Sequence, residues 1–250
     1  MKVAITRVRN EEVILKSTLD RLSYHFDCVI AFDDCSTDGT RDILSEHKLV
    51  KRVITSDKWE SRSEVRKTLE TTQRQDLYDY AMRKEEDIDW MLYFDADEHF
   101  YFDEINWGSN FSYFFRLFDV YITPNDVEKP FIDREYIGCE YRDIPMLFRP
   151  NSRVHFNNRV PLGIDQLQMI GGTVKHFGKG ISVEHWEETC DYYINHLNER
   201  MPNGEDISTK WKKRKGKAIH DGVSDFGLPL IKWDDRYTSE HIINLNKVYK

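Results

Sequence analysis

The sequence predicts an α/β fold whose central sheet is mostly parallel and wound on both faces by helices. Over residues 2–100, short apolar runs alternate with segments of helical periodicity, in the order β-α-β-α-β-α-β. Two of the apolar runs stop abruptly in carboxylates, at Asp33-Asp34 and at Asp95. Because ligands bind beyond the carboxyl ends of the strands in such sheets, these acids mark the expected site.

Four strands and three helices account for the first hundred residues. We expect strands at 2–6, 28–32, 49–55 and 90–95, and helices at 11–26, 40–47 and 61–86. The side chain of Asn10 is the expected N-cap of the first helix. The third helical segment is long and polar, and it is expected to be one helix or a pair of helices.

The pattern changes after Phe100. Residues 111–121, 145–148 and 173–177 are expected to form strands, the last of them the final strand of the fold. Residues 182–200 have helical periodicity, and the polar stretch 124–142 is expected to be a loop.

Composition limits the functions that are open to this chain. It has 250 residues, 40% of them hydrophobic, which is enough for one sizeable domain with or without a small appendage. A formal net charge of −8 argues against a general affinity for nucleic acid. The four cysteines lack metal-binding spacing and are expected to be reduced thiols. We find no targeting or membrane-spanning pattern and expect a cytoplasmic protein.

The fourth strand leads into Asp95-Ala96-Asp97. On an extended backbone, acids two residues apart project to the same side, and paired carboxylates suit Mg²⁺ or Mn²⁺. The alternative is an ordinary solvated loop or helix cap, which is what most Asp-x-Asp tripeptides are.

Four segments, in this order and spacing, resemble the family 2 glycosyltransferases of the GT-A fold: Thr6, Asn10-Glu11, the string from Asp33 to Thr40, and Phe94–Asp97. The resemblance covers roughly the first hundred residues and is thin beyond them. It implies a Rossmann-like three-layer sandwich and a metal-dependent transfer of sugar, with inversion. The implied donor is a nucleoside diphosphate sugar, preferably a UDP-sugar. The implied acceptor is a hydroxyl group of a glycan, a lipid-linked molecule or another compound.

The resemblance also implies roles for residues that would bind the nucleotide. Thr6, with Asn10 and Glu11, lies where the first strand of the family meets the base. Asp34 matches the position that accepts a hydrogen bond from the base. Arg74, or Arg66 as a competing candidate, matches the arginine that approaches the nucleotide. Solvated charge on an exposed helix face is the alternative for Arg74.

For the metal, Asp95 matches the acid that faces both ribose and metal, and Asp97 the metal ligand proper. His176 resembles a late histidine that completes the metal or diphosphate site in some enzymes of this fold; the alternative is an ordinary buried histidine.

Inverting transfer needs a carboxylate that deprotonates the acceptor hydroxyl. No motif marks this base, and the usual Pro-x-Tyr-Asn start is Arg7-Val8-Arg9-Asn10 here. Asp165 is the first choice for the base, followed by Asp143 and Glu140.

The implied division places a glycosyltransferase domain at 1–205, with a nucleotide-binding half at 1–100 and an acceptor-binding half at 101–205. An extension at 206–250 would pack on it and carries a basic run at 212–217, which is either a solvated face or a contact for lipid phosphate.

Three other functions stay open. A sugar-phosphate nucleotidyltransferase would carry a glycine-rich loop after the first strand, and the loop at 7–10 has no glycine. A haloacid-dehalogenase-type phosphatase would place its Asp-x-Asp near the N-terminus. A non-catalytic nucleotide-sugar-binding domain would not need the carboxylate pair, which is present.

Overall fold

A computed structural model of the chain describes residues 1–60, 63–102, 105–164, 168–196, 206–234 and 243–244. The described residues form two units. The first unit consists of residues 1–60, 64–116 and 144–174, and the second consists mainly of 117–143 and 175–250. Neither unit is a continuous stretch of sequence, and the division predicted at residue 205 stays a prediction.

Four parallel strands lie side by side in the first unit. They are Lys2–Val8 (β1), Cys28–Asp33 (β2), Val50–Thr55 (β3) and Trp90–Tyr93 (β4), in the spatial order β3-β2-β1-β4. Strands β2 and β4 are buried along their whole length, as continuous apolar runs predict. The predicted mixed α/β class with a mostly parallel sheet is confirmed, and this sheet is consistent with a Rossmann-like fold. The finer GT-A assignment stays a prediction.

The helices between these strands are Leu15–Leu22 (α1), Thr40–Glu46 (α2) and Ser63–Lys84 (α3). Helix α1 begins later than predicted, because residues 12–14 form a turn in which Ile14 N and Leu15 N both donate to Glu11 O. Asn10 is not its N-cap: the backbone of Asn10 is left-handed, with φ of 54°, a conformation that asparagine tolerates. The predicted cap is therefore wrong.

Beyond β4 lie Glu98–Tyr101 (β5), Ser112–Val120 (β6), Tyr136–Phe148 (β7), His155–Asn157 (β8), Val160–Leu162 (β9) and Gln168–His176 (β10). Strand β7 pairs antiparallel with β4. The first unit holds only part of β6, β7 and β10. In it the strand order continues from β4 through β7, β6 and β10 to β5. The loop predicted at 124–142 is wrong in its last part, because β7 starts at Tyr136.

The second unit also contains helices Val183–His196 (α4) and Ile207–Arg214 (α5), and strands Leu230–Lys232 (β11) and Ile243–Asn244 (β12). Strand β11 pairs antiparallel with β7, and β12 pairs parallel with it, so the prediction that residues 173–177 form the final strand is wrong. Helices α4 and α5 pack through the buried side chain of Trp186 and through Trp211, whose ring stacks on Tyr193 at 4.2 Å.

The apolar core of the first unit fixes the sheet against α3. Residues of β1, β2 and β4 pack on Leu77, Tyr78 and Ala81 of this helix. In the part of the chain that the structure describes, no helix is both long and apolar enough to cross a membrane.

Candidate functional site

The loops that follow β1 and β2 are bound to each other by hydrogen bonds. Asn10 Oδ1 accepts from Thr37 N at 2.8 Å, and Asn10 N donates to Ser36 Oγ at 3.0 Å. Glu11 N donates to Thr40 Oγ1 at 2.7 Å. Asn10 and Glu11, both predicted to bind the nucleotide, therefore hold the two loops in place at the carboxyl edge of the sheet.

Asp34 lies at the end of β2, where the sequence predicts it, and its side chain is almost completely buried. Arg7 Nη2 donates to its Oδ2 at 2.5 Å, and Gln73 Nε2 donates to its Oδ1 at 3.3 Å. Arg7 Nε also donates to Gln73 Oε1 at 2.6 Å, which closes a ring of three side chains. No role for Arg7 was predicted from the sequence, although this ring accounts for the burial of the Asp34 carboxylate.

A small cleft opens beside Asp34. Its volume is about 170 Å³, and it is lined by Asp34, Ser56, Lys58, Glu60, Arg66, Leu69 and Gln73. Arg9 lies close by: its guanidinium donates to the backbone oxygens of Asp34 and Cys35 at 2.7 Å and covers the ring of Trp59 at 4.2 Å. Arg66, one of the two arginines predicted to approach the nucleotide, therefore lines the cleft that contains Asp34.

Asp95 and Asp97 lie on a tight turn. Strand β4 ends at Tyr93, and Glu98 N donates to Asp95 O at 3.2 Å across the turn. The extended backbone that the sequence argument assumed for Asp95-Ala96-Asp97 is therefore not found. The physical reason is Glu98, whose fully buried carboxylate accepts from Asp95 N at 2.9 Å and draws the chain back on itself.

Arg159 is the positively charged side chain that pairs with the acids of this turn. Its Nη1 lies 3.1 Å from Asp95 Oδ2, and its Nη2 donates to Glu98 Oε1. Burial opposes the charged form of Arg159, but the carboxylates of Asp95 and Glu98 raise its pKa, so the guanidinium keeps its charge. No role for either Arg159 or Glu98 was predicted from the sequence.

A series of hydrogen bonds and ion pairs between side chains connects Asp95 to Asp34. Tyr93 OH donates to Asp95 Oδ1 at 2.9 Å, and Arg74 Nε donates to Tyr93 OH at 2.5 Å. Arg74 is an ion-pair partner of Glu70 at 3.8 Å, and Glu70 lies 3.7 Å from Arg7, which binds Asp34. Arg74 is thus buried within this series of contacts and is not a solvated surface charge. We call this set, with Arg66, Arg159 and Glu98, the edge network.

The strands that carry Asp34 and Asp95 are not adjacent. Both β2 and β4 pair parallel with β1, so the two acids lie at the same edge of the sheet with one strand between them. Thr6, on that intervening strand, is fully buried, and its Oγ1 has no hydrogen-bond partner among the described residues. Since side chains alternate along a strand, Thr6 lies on the sheet face opposite to Arg7.

His176 belongs to the second unit, where it contacts Asp119 together with Arg142 and Lys179. Asp119 Oδ1 lies 2.7 Å from His176 Nδ1 and 2.5 Å from Arg142 Nη2, and Asp119 Oδ2 lies 2.8 Å from Lys179 Nζ. Burial opposes ionisation of Asp119, but Lys179, Arg142 and His176 hold the pKa of its carboxyl well below the usual value. The role predicted for His176 at the metal stays a prediction.

The three candidates for the catalytic base lie in different parts of the chain. Asp165 lies outside the described residues. Glu140 and Asp143 lie on β7 in the second unit. The buried carboxylate of Glu140 accepts from Tyr121 OH at 3.1 Å and Ser224 Oγ at 3.2 Å, and burial raises its pKa. These partners also explain why polar residues are tolerated in β7.

The described residues contain no group of three or more His, Cys, Asp or Glu side chains that is arranged to hold a metal. Asp95 and Asp97 carry carboxylate oxygens on one turn, and Tyr93 and Arg159 already contact the two oxygens of Asp95. Mg²⁺ needs only one or two carboxylates when phosphates and waters supply its other ligands. The residues present therefore suit a metal that binds together with phosphate ligands, and the described residues do not form a complete metal site by themselves.

The ion pairs of Asp119 predict a pH-dependent contribution to stability. The pKa of Asp119 is lower in the folded chain than in the unfolded chain, so its contribution is complete at neutral pH and is lost as pH falls below about 4. Asp119→Asn should lower the urea midpoint of unfolding at pH 7, and the difference from the unsubstituted chain should shrink as pH falls from 5 to 3. Asp221→Asn, at an exposed position of the same unit, is the control. A difference that does not change over this range would contradict the assignment.

Comparisons with known proteins do not supply a family. No protein-family model matches the chain, and no curated protein matches it. One similar solved structure is titled "Crystal Structure of a Mycobacterial Protein". The alignment covers 93% of this chain and 82% of that one, with 15% identity and a TM-score of 0.34. A similarity of this size supports no conclusion about function.

Proposed function

We propose that this chain is a glycosyltransferase that binds a nucleoside diphosphate sugar at the carboxyl ends of β1, β2 and β4 and transfers the sugar to an acceptor hydroxyl. The observation that carries the proposal is the edge network, which joins Asp34 and Asp95 beside an open cleft. Ligands of parallel α/β sheets bind at this edge, and charged networks of this kind are enriched at functional sites.

The cleft beside Asp34 suits a single heterocyclic ring. Its volume of about 170 Å³ is smaller than the range of roughly 300–1,000 Å³ that is usual for whole small-molecule ligands. Asp34 supplies acceptor oxygens for a ring N–H, and Gln73 supplies both donor and acceptor groups. The preference for uracil over guanine rests on the sequence resemblance.

The charge of the edge network favours a divalent cation as a co-ligand. Four guanidinium groups face four carboxylates, namely Arg7, Arg66, Arg74 and Arg159 against Asp34, Glu70, Asp95 and Glu98. This set is neutral, so it has no excess positive charge to offset a diphosphate. Mn²⁺ or Mg²⁺ bound with the nucleotide would supply that charge.

Asp95 and Asp97 would hold this metal, which when bound acts as a Lewis acid on the phosphate oxygens. In the transfer itself, the acceptor oxygen forms a bond to C1 of the sugar while the bond from C1 to the β-phosphate oxygen breaks. The electron pair of the broken bond stays on the nucleoside diphosphate, and a carboxylate takes the proton of the acceptor.

Binding of UDP should depend on the metal and on Asp97. We expect calorimetry to show that Mn²⁺ strengthens UDP binding to the unsubstituted chain and that Asp97→Ala abolishes this gain, because one of two carboxylate ligands is lost. Asp76→Ala, at an exposed position of α3, removes the same charge away from the turn and should bind as the unsubstituted chain does. Equal UDP affinity with and without metal, or an Asp97→Ala chain that behaves normally, would contradict the metal role.

The catalytic base should affect transfer and not donor binding. With the UDP-sugar that best protects the chain against thermal unfolding, Asp165→Asn should bind donor normally and transfer about 10²–10⁴-fold more slowly. Turnover at the unsubstituted rate would move the role to Asp143 or Glu140, which are tested by the same substitution to the amide.

The anomeric configuration of the product tests the mechanism, since retention would contradict inverting transfer. Formation of a nucleotide sugar from nucleoside triphosphate and sugar phosphate would favour the nucleotidyltransferase alternative instead.

A further inference from the structure

We propose that Arg159 binds the diphosphate of the nucleotide and stabilises the negative charge that develops on it as the sugar leaves. The inference rests on the proposed function and assigns a role in it to a residue that the sequence did not single out. It is carried by the hairpin that presents Arg159 and by its two carboxylate partners, Asp95 and Glu98.

The hairpin places Arg159 within narrow limits. Strands β8 and β9 pair with Asn157 opposite Val160, so Asn158 and Arg159 form a two-residue turn. Asn158 has a left-handed backbone with φ of 56°, as such tight turns require. Asn158 Oδ1 also accepts from Arg74 Nη1 at 3.3 Å. Both residues of the turn thus contact the edge network, and the guanidinium of Arg159 reaches it from the tip of the hairpin.

Glu98 acts as a positioning residue for Arg159. Its carboxylate is fully buried, with one oxygen bound to Arg159 and the other to the backbone N–H of Asp95. The same side chain therefore fixes both the acid turn and the cation above it. A carboxylate buried this completely is expensive unless it is paired, so Glu98 keeps Arg159 at the turn in the absence of any ligand.

The exposed fractions of the three side chains distinguish this arrangement from a fully buried ion pair that serves only the fold. The Arg159 side chain is 20% exposed and that of Asp95 is 27% exposed, while Glu98 is at 0%. The pair is therefore anchored on its buried side and open on the side of Asp95. Nη2 donates one hydrogen to Glu98, and Nη1 lies 3.1 Å from Asp95 Oδ2 as an ion pair. Each Nη of arginine carries two hydrogens, so N–H groups that these contacts do not use are available to donate to phosphate oxygens.

The role in transfer follows from this geometry. When the bond between C1 and the β-phosphate oxygen breaks, its electron pair becomes negative charge on that oxygen. A fixed guanidinium stabilises this charge without any proton transfer, because arginine stays protonated. The proposed contribution is electrostatic and directional, so a lysine at the same position would supply the charge and not the forked N–H groups of a guanidinium.

The test compares nucleotides that differ in phosphate number. Binding of UDP, UMP and uridine, each with Mn²⁺, is measured by calorimetry for the unsubstituted chain, Arg159→Gln and Arg159→Lys, with GDP, GMP and guanosine as a parallel series. We expect Arg159→Gln to weaken binding of the diphosphate about 10- to 100-fold, as loss of a charge-assisted hydrogen bond does. Nucleoside binding should stay within about 2-fold, and Arg159→Lys should give an intermediate loss. Arg52→Gln, at an exposed position of β3, is the matched control and should bind normally.

The outcomes separate the inference from the function on which it rests. If the unsubstituted chain binds neither diphosphate, the proposed function fails. If it binds one and Arg159→Gln binds it equally well, or if diphosphate and nucleoside affinities fall together, the inference on Arg159 fails. Should Arg159→Gln not fold, the paired variant Glu98→Gln with Arg159→Gln removes the buried charges together. The inference is then tested with Arg159→Lys and with this double variant. Both should lose affinity for the diphosphate and keep affinity for the nucleoside.

Discussion

A buried carboxylate costs several kcal/mol unless a cation or a set of hydrogen-bond donors accompanies it. The first unit buries three beside its candidate site, and one of them, Asp33, is accompanied by Arg41. Asp34 is accompanied by Arg7 and Gln73, and Glu98 by Arg159 and the backbone of Asp95. Removing a single partner from such a pair typically costs about 3–5 kcal/mol. The positions of the loops after β1, β2 and β4 all depend on meeting this requirement.

The same requirement explains the composition of α3. A helix that covers a sheet normally shows an apolar face, but much of this one is polar. The part near the carboxyl edge supplies Glu70, Gln73 and Arg74 to the edge network, and the following turns supply Leu77 and Ala81 to the core. One helix therefore both packs the sheet and holds the charges of the site. Substitutions on its inner face would affect either stability or the site, depending on the turn in which they fall.

The residues that could be predicted from the sequence are those whose position depends on local pattern. Asp34 and Asp95 were found because each ends a buried apolar run, and parallel strands bring such ends to one edge. Arg7 and Arg159 were missed because their partners lie 27 and 61 residues away, and no local pattern reports a pairing at that separation. The first part of β7 was taken for a loop because Glu140 and Arg142 interrupt its apolar alternation, whereas residues 145–148 of the same strand were predicted correctly. In the fold, Tyr121, Ser224 and Asp119 satisfy Glu140 and Arg142. The assumption of an extended Asp95-Ala96-Asp97 failed for a local reason, because the side chain of Glu98, three residues after Asp95, accepts from the backbone of Asp95 and sets the turn.

We propose that a single nucleotide spans the edge network from Asp34 to the turn at Asp95, and a crystal structure of the chain with UDP and Mn²⁺ would show whether it does. We expect the uracil ring in the cleft beside Asp34 and Gln73, with the diphosphate within hydrogen-bond distance of Arg159 and with Mn²⁺ on Asp95 and Asp97. A nucleotide bound elsewhere on the chain, or one whose phosphates point away from the turn at Asp95, would contradict it.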